Sequence, residues 1–325
     1  MENNNHIFSS NPTLSERGTV IIIAGATASG KTALALQLAR FFSTEIISAD
    51  SRQCYKELNI GVAKPTQDEF SSVPHYFINS HSVYEEVNAG TFEQYALQSV
   101  EKIFRENPVA VMVGGTGLFI KTFCEGMDKI PQIPLAIRNE IIDQYEKKGL
   151  EWLQNEVRTR DNTFWQIAEQ QNPQRLMRAL EVLNYTEKSI ASFRGDKKMQ
   201  RPFNIIKIGL ELPREELYRR INLRVDKMME SGLEQEARRL IPLQHLNALK
   251  TVGYSELFDY FSDKISLTKA VENIKTNTRH YAKRQMTWFK KDKEITWFAP
   301  DEYEKILTWI NNKISLENKQ LVKTG

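Results

Sequence analysis

The sequence predicts an α/β protein, in which a parallel sheet is flanked by helices and interrupted by an all-helical insertion. Short apolar runs alternate with helical patterns over residues 19–128, which is typical of parallel strands joined by crossover helices. Only helical patterns follow over residues 129–201, and an apolar run at 203–210 then returns to the sheet. A chain of 325 residues is long enough for both parts.

The composition is that of an ordinary soluble globular chain, with 41% hydrophobic residues, 26% charged residues and a net charge of +3. Cys54 and Cys124 form neither a metal-binding spacing nor a disulfide framework, which fits a reducing compartment. Residues 1–18 lack the apolar core of a signal peptide, and no apolar run is long enough to span a bilayer. We expect a cytoplasmic protein with no membrane partner, a disordered N-terminus at 1–18 and a flexible tail at 317–325.

The first apolar run, residues 19–24, leads into the motif G-x-x-x-x-G-K-T and then into a helical pattern. A buried strand, a glycine turn and a helix start are the context of a phosphate-binding loop, as in P-loop NTPases. Backbone N–H groups and the helix dipole would then converge on an anion. We expect Lys31 to reach the outer phosphates and the Thr32 hydroxyl to bind Mg²⁺. The predicted loop consists of Gly25, Ala26, Thr27, Ala28, Ser29, Gly30, Lys31 and Thr32.

The second apolar run, residues 45–48, is followed by the polar residues Asp50, Ser51, Arg52 and Gln53. Ligands of open α/β sheets bind at the carboxyl ends of the strands, which places Asp50 beside the phosphate loop. An Asp at this point could instead cap the next helix. A cap explains one Asp but not the whole polar run, so we favour a functional role.

The third apolar run, residues 109–113, ends in glycines and Thr116 instead of an acidic residue. Motor and signalling NTPases usually place an Asp here to hold magnesium, so hydrolysis coupled to motion is disfavoured. The glycines would let a ligand approach the backbone, although they also suit a plain tight turn.

Two basic helical segments remain open to two interpretations. In the insertion, helices are predicted at 135–148, 150–160, 164–171 and 173–185, and Arg175 and Arg178 share one face of the last. The segment 274–293 is strongly basic, with aromatic residues interleaved. Such helices can bind nucleic acid, or can dock on the core with their cations in water.

These blocks resemble the tRNA dimethylallyltransferase (tRNA isopentenyltransferase) family, from about residue 20 to about residue 298. The matching blocks are residues 25–32, 48–53, 61–65, 113–118, 172–175, 252–254 and 278–285. Many families share the phosphate loop, whereas Asp-Ser-Arg-Gln after the second strand and Val-Gly-Gly-Thr at the third are more specific. The resemblance implies a P-loop core at 19–128 and 202–316, with C-terminal helices. It also implies a helical insertion at 129–201 that binds the anticodon loop.

The resemblance also implies a reaction. A dimethylallyl group passes from dimethylallyl diphosphate to N6 of the adenosine immediately 3′ of the anticodon, in tRNAs that read codons beginning with U. It implies Mg²⁺ as the metal, and the diphosphate of the donor, not ATP, in the phosphate loop. We expect a monomer.

Site residues follow from the same resemblance. Asp50 would accept the proton of the amine, Thr27 would bind a diphosphate oxygen, and Arg224 would clamp the diphosphate. The positions implied to contact tRNA are Asp50, Ser51, Arg52, Gln53, Thr116, Arg138, Gln174, Arg175, Leu176, Met177, Arg178, Lys250, Gly253, Tyr254, Arg279, Lys283 and Arg284.

Three alternatives fit parts of the sequence. A small-molecule or nucleoside kinase shares the phosphate loop, but it does not require the basic and aromatic helix at 274–293. An isopentenyltransferase acting on free adenine nucleotides shares the donor chemistry, but the helical insertion favours tRNA. A non-catalytic RNA-binding protein leaves the phosphate loop unexplained.

Overall fold

The computed structural model describes residues 18–128, 130–193 and 198–324, with side chains described as far as residue 316. The segment 1–18, for which the sequence predicts disorder, lies outside the described residues except for Gly18. The chain forms two compact units. One comprises Met1–Glu125 and Gln200–Gly325, and the other comprises Gly126–Met199.

The sheet of the first unit contains the strands β1 (Thr19–Gly25), β2 (Ile46–Ser48), β3 (His75–Tyr76), β4 (Val109–Gly114), β5 (Asn204–Leu210) and β6 (Thr296–Phe298). Their order is β3-β2-β4-β1-β5-β6, and every neighbouring pair is parallel. This confirms the predicted α/β class, and β3 and β6 form the two edges of the sheet. Strand β6 was not predicted, because three residues between a charged turn and Pro300 carry little pattern of their own.

The helices are α1 (Lys31–Phe41), α2 (Gln67–Ser72), α3 (Ala89–Phe104), α4 (Gly117–Glu125), α5 (Leu135–Arg160), α6 (Asn162–Trp165), α7 (Pro173–Thr186), α8 (Arg214–Glu230), α9 (Leu233–Arg239), α10 (Tyr254–Phe261), α11 (Leu267–Phe289) and α12 (Tyr303–Thr324). Helices α5, α6 and α7 belong to the second unit. The backbone of α12 continues to Thr324, through most of the segment predicted as a flexible tail, and Gly325 lies outside the described residues.

Strand β1 lies at the centre of the sheet and is completely buried. Its side chains alternate between two cores, as the period of a strand requires. Val20 and Ile22 pack in the core on one face, while Ile21 and Ile23 pack in the core on the other. Because both faces are covered by helices, the strand is apolar throughout, and its carboxyl end at Gly25 leads directly into the phosphate loop.

The second unit is helical in its described residues, and its core contains Leu153, Val157 and Leu180. Helix α5 is broken at Gly149, whose φ of 77° and ψ of −173° are not helical, in agreement with two predicted segments. The helix predicted at 164–171 is wrong over most of its length, since α6 ends at Trp165. The following residues form turns, and the extended Asn172 then caps α7 by accepting the backbone N–H of Arg175 with its side chain.

Candidate active site

The phosphate loop lies between β1 and α1. Its backbone has positive φ at Gly25 (146°), Ala28 (63°) and Gly30 (98°), so the chain turns sharply before α1 begins at Lys31. No side chain caps the start of α1. The first N–H groups of a helix have no partner within the helix, and the helix dipole attracts negative charge to them. The loop is therefore built as an anion-binding cradle.

Ser29 is buried and Lys31 is half-buried in this loop, and neither side chain is fully compensated. The hydroxyl of Ser29 makes no hydrogen bond with the described residues. Lys31 donates from Nζ to the carbonyl of Ala26 at 2.5 Å. Burial and the positive charge of Arg224 lower the pKa of Lys31 to about 7, although Asp50 acts in the opposite direction. An anion in the loop would supply both an acceptor and a negative charge.

Helix α8 brings Arg224 to the same loop. Its Nη1 donates to Oγ1 of Thr27 at 3.2 Å, across 197 positions of sequence. Burial lowers the pKa of Arg224, and the negative charge of Asp50 opposes that shift. Arginine remains charged at neutral pH, so a second buried cation lies beside the loop. A guanidinium group here is suited to two-point binding of phosphate oxygens.

Asp50 follows β2 and serves partly as the predicted cap. Its Oδ1 accepts the backbone N–H groups of Arg52 at 2.8 Å and Gln53 at 3.3 Å. None of the described residues donates to its Oδ2. One oxygen thus fixes the turn, while the other remains available in the cavity that Asp50 lines. The two interpretations of Asp50 are therefore compatible.

The glycine turn after β4 allows three elements to meet closely. A Cβ atom on Gly114 would lie 2.1 Å from the carbonyl oxygen of Ala49, and one on Gly115 would lie 2.1 Å from Nε2 of Gln285. Thr116 then accepts the backbone N–H of Ser51 at 3.0 Å through its Oγ1. The glycines are needed here for close packing, and Thr116 joins this turn to the polar run after β2.

Gln285 on α11 was missed by sequence reasoning. Its side chain is 6% exposed, and its Oε1 accepts the backbone N–H of Thr27 at 2.8 Å. Its Nε2 donates to the carbonyl of Gly115 at 2.9 Å. The residue lies in the block 278–285 that carries the family resemblance, but a lone glutamine in a helix gives no signal of such a role. Only the fold brings the three residues together.

Tyr281, one turn before Gln285, lies near the carboxylate of Asp50. Burial and the charge of Asp50 raise the pKa of Tyr281 to about 12, while Arg52 and a hydrogen bond with Thr116 act in the opposite direction. The residue as a whole is nevertheless 37% exposed. The phenol therefore keeps its proton at neutral pH and remains a possible donor to a ligand beside Asp50.

These groups surround a cavity of about 860 Å³. It has a polar end at the phosphate loop and an apolar wall that includes Val225, Leu233 and Ile274. The predicted site residues that line it are Thr27, Ala28, Ser29, Gly30, Lys31, Thr32, Asp50, Ser51, Arg52, Gln53, Arg224, Lys250, Gly253 and Arg284. Residues from distant parts of the sequence thus share a volume large enough for a small-molecule ligand.

The side chain of Tyr254 is fully buried, which does not fit the predicted tRNA contact through that side chain. Its hydroxyl donates to Glu236 at 2.6 Å. The same carboxylate accepts the backbone N–H groups of Ile60 at 2.9 Å and Gly61 at 3.0 Å. Glu236 was not predicted as a site residue. Tyr254 and Glu236 instead support the loop at 59–65, part of which lines the cavity.

The helical unit holds the other predicted RNA contacts on α5 and α7. Arg138 and Arg178 approach the same buried carboxylate of Glu181, at 3.8 and 2.8 Å. Gln174 is exposed, and Arg175 pairs with Glu169 at 3.3 Å. Leu176 and Met177 were also predicted to contact tRNA. Their side chains instead pack in the core of this unit, which does not fit a contact through those side chains.

Helix α11 combines the two interpretations of the basic segment. Phe289 is buried, as in a docking helix, whereas Trp288 is 37% exposed. Lys283 is exposed, and the guanidinium of Arg284 lies 5.8 Å from the ring centre of Tyr281. Arg279 donates to Asn222 at 2.7 Å and to Thr276 at 2.9 Å. One face of α11 thus packs on the core while the other presents cations and an aromatic ring.

Within the part of the chain that the structure describes, no helix combines the length and apolar character needed to cross a membrane.

Sequence comparison places the chain among known enzymes. The model of the IPP transferase family matches residues 53–292. The tRNA dimethylallyltransferase of Cytophaga hutchinsonii is 46% identical over 295 residues, which cover 91% of this chain and 97% of that protein. The tRNA dimethylallyltransferase 1 of Bacteroides thetaiotaomicron is 45% identical over 292 residues, or 90% of this chain and 95% of that one.

Solved structures agree with this assignment. The tRNA isopentenylpyrophosphate transferase of Bacillus halodurans has a TM-score of 0.70 and 30% identity, covering 93% of this chain and 98% of that one. A eukaryotic dimethylallyltransferase, captured acting on tRNA, has a TM-score of 0.72 and 26% identity, covering 94% of this chain and 80% of that one. The family match and the relatives extend over most of the chain: it belongs to the IPP transferase family.

Proposed function

We propose that this chain is a tRNA dimethylallyltransferase. It transfers the dimethylallyl group of dimethylallyl diphosphate to N6 of the adenosine immediately 3′ of the anticodon, in tRNAs that read codons beginning with U. One observation carries the proposal: a single cavity is lined by an anion-binding loop, by Arg224 and by the carboxylate of Asp50. Membership of the IPP transferase family supports both the donor class and the tRNA substrate.

The transfer exchanges one bond for another. The N6 amine attacks C1 of the dimethylallyl group, and the bond from C1 to the diphosphate oxygen breaks, its electron pair leaving with the diphosphate. An exocyclic adenine amine is a weak nucleophile, so it must lose a proton as the carbon–nitrogen bond forms. Oδ2 of Asp50 accepts no hydrogen bond from the described residues, and it is our candidate for the proton acceptor. Oδ1 holds the turn by accepting two backbone N–H groups.

The departing diphosphate gains negative charge as its bond to carbon breaks. Donors fixed in advance at the phosphate loop would stabilise that charge without reorganisation. The loop N–H groups, Lys31 and Arg224 are such donors, and Arg224 is held by Thr27. Binding of the anion would also restore the proton to Lys31, whose pKa of about 7 reflects burial beside another cation.

We further propose that Mg²⁺ binds with the diphosphate at Thr32. No group of three or more His, Cys, Asp and Glu side chains suited to a metal occurs among the described residues. That finding fits Mg²⁺, which is often held by one or two protein ligands together with substrate phosphates and water. Thr32 lines the cavity and is exposed at the start of α1, where the loop would hold those phosphates. When bound, the ion would offset diphosphate charge.

The target adenine cannot reach the cavity while it is stacked within the RNA loop, so the adenosine must leave its stack. Arg52, Lys250 and Arg284 line the cavity and are suited to the neighbouring phosphates. In the helical unit, we propose Arg138 and Arg178 as further tRNA contacts. We also propose that the protein acts as a monomer.

The test is an assay with radiolabelled dimethylallyl diphosphate, Mg²⁺ and unmodified tRNA, for the wild type, Asp50→Asn and Asp50→Ala. Asparagine can still accept the N–H groups of Arg52 and Gln53, so Asp50→Asn removes the base but keeps the cap. We expect the wild type to label tRNA, and Asp50→Asn to lose at least ~100-fold in kcat while still binding tRNA. Label lost only in Asp50→Ala would assign Asp50 to the cap alone.

The same assay distinguishes the alternative functions. Transfer to free AMP without transfer to tRNA would indicate an isopentenyltransferase of free nucleotides. Turnover of ATP without any transfer would indicate a kinase. Omitting Mg²⁺ and adding a chelator should suppress transfer, and unchanged transfer would contradict the proposed metal.

A further inference from the structure

A second cavity, of about 530 Å³, adjoins the first. The wall between them consists of the residues that line both cavities, which are Ala63, Pro65, Arg224 and Met228. If the wall were opened, the first cavity would gain the volume of the second. The wall therefore limits the length of any ligand that extends from the phosphate loop toward it.

The wall is continuous with the diphosphate end of the site. Arg220, Arg224 and Met228 are spaced four residues apart on α8, so they lie on one face, and all three line the first cavity. Arg224 reaches the phosphate loop through Thr27. Met228 lies four residues further on, about 6 Å along the axis. Over that turn the face changes from cationic to apolar. This order matches an allylic diphosphate, whose anionic phosphates are followed by an apolar hydrocarbon chain.

Two of the four wall residues are constrained by their backbone conformation or by a hydrogen bond of their side chain. Ala63 has a positive φ of 49°, and its carbonyl accepts from Nε2 of Gln53 at 3.0 Å. Arg224 is held by Thr27. The side chain of Met228 makes no hydrogen bond with the described residues, and methionine adapts its shape to the space it fills.

Resting on the proposed function, we infer that Met228 sets the length of the prenyl group, by closing the cavity beyond a five-carbon chain. A ten-carbon geranyl chain would need the space that the methionine side chain fills. Ile60 and Phe70 supply apolar surface in the second cavity for a second isoprenoid unit. The same bonds form and break as for the shorter donor, so only the fit of the chain changes.

The experiment compares dimethylallyl diphosphate with geranyl diphosphate in the wild type, Met228→Gly, Met228→Ala and Met229→Ala. Met229 is the matched control, since it packs against the same core as Met228 but is not among the residues lining either cavity. We expect Met228→Gly to shift the ratio of kcat/KM values toward the geranyl donor by at least ~10-fold. Met228→Ala should shift it in the same direction, and Met229→Ala should leave it unchanged.

A binding measurement keeps the inference testable if a variant transfers slowly. The affinity for a non-hydrolysable geranyl thiodiphosphate should rise by a similar factor in Met228→Ala, relative to its dimethylallyl counterpart. Dimethylallyl transfer by the wild type together with unchanged ratios in both Met228 variants would overturn the inference and leave the proposed function intact. An equal shift of the kcat/KM ratio in Met229→Ala would also overturn the inference. Absence of dimethylallyl transfer by the wild type would overturn both the inference and the proposed function.

Discussion

Gln285 and Thr27 are 258 positions apart in sequence, yet Oε1 of Gln285 accepts the backbone N–H of Thr27 at 2.8 Å. The other end of the same amide donates to Gly115. One side chain of α11 therefore links the phosphate loop to the glycine turn after β4. The helix that presents Arg284 and Tyr281 to the cavity also fixes the loop where the diphosphate is proposed to bind.

Replacing Gln285 with Met should lower kcat while changing the KM for tRNA by no more than ~2-fold. The change leaves a buried N–H and a buried carbonyl without partners, at a cost of about 1–3 kcal/mol for each group, so the loop relaxes. Small misplacements of reacting groups can cost ~100-fold in rate, and we expect a loss of ~10–100-fold. Steady-state kinetics with both substrates measure it.

Thr287→Ala is the control for Gln285, because Thr287 is exposed on α11 and its hydroxyl donates within that helix to the carbonyl of Lys283. The affinity for inorganic diphosphate should fall in the Gln285 variant but not in the control. A Gln285→Met enzyme with wild-type kcat and diphosphate affinity would contradict the positioning role.

The lowered pKa of Lys31 predicts proton uptake when inorganic diphosphate binds. With a pKa of about 7, Lys31 is mostly neutral at pH 8 in the unliganded protein, and an adjacent anion favours its charged form. Affinity should therefore weaken as the pH rises above 7. Calorimetry in buffers of different ionisation enthalpy counts the protons. Lys31→Arg, whose guanidinium is charged throughout, should take up fewer, and equal uptake in both proteins would contradict this assignment.

The lowered pKa of Lys31 also predicts how the stability of the protein changes with pH in the absence of ligand. The folded pKa of Lys31 lies below its ordinary value of 10.5, so the unfolded chain binds more protons between about pH 7 and 10.5. The contribution of Lys31 to the free energy of unfolding is therefore least favourable below pH 7, and it improves as the pH rises through that window. Thermal unfolding of the wild type and Lys31→Met from pH 7 to 9 should show the difference, with the wild type gaining stability relative to the variant.

Arg178→Gln should weaken tRNA binding without changing kcat at saturating tRNA. A cation that contacts phosphate contributes to binding through counterion release, so the slope of log affinity against log salt should fall by about 1. Arg160→Gln is a matched control in the helical unit, because its guanidinium pairs with Glu156 at 3.3 Å and Asn184 at 2.7 Å and it is not a predicted contact. Equal salt slopes in the two variants would argue against Arg178 as an RNA contact.

Removing Lys207 and removing its acidic partners should have unequal effects on the free energy of unfolding. It is buried in β5 and donates to Asp292 at 2.9 Å and Glu294 at 2.7 Å. Burial alone would lower the pKa of Lys207, but the hydrogen bonds to these carboxylates outweigh burial and raise it. The pair of changes Asp292→Asn and Glu294→Gln leaves a buried cation unpaired, and should cost about 3–5 kcal/mol in the free energy of unfolding.

Lys207→Met should cost less than that, because the carboxylates it leaves behind are 33% and 65% exposed and can be hydrated. Chemical denaturation of both variants gives the comparison. Since the folded pKa lies above the unfolded one, the stability from Lys207 is present below pH 10.5 and is lost as the pH rises further. A larger loss in Lys207→Met than in the acidic double variant would contradict the prediction.

The sequence by itself determined the features that depend on local pattern. Apolar runs of strand length, the glycine loop before α1 and the polar run after β2 are readable because neighbouring residues create them. The position of Asp50 beside the phosphate loop also followed, since parallel strands of one sheet end at the same edge. The family resemblance added Arg224, for which no local motif was found in the sequence.

Tertiary structure decided the features that depend on which distant surfaces meet. The contacts of Gln285 with Thr27 and Gly115, and of Glu236 with the loop at 59–65, join segments that no local pattern relates. The burial of Tyr254, Leu176 and Met177 was decided in the same way, because a helix alone does not show which of its faces will be covered. Hydrogen bonding and burial across the chain therefore set the details of the site, whereas local geometry set its location.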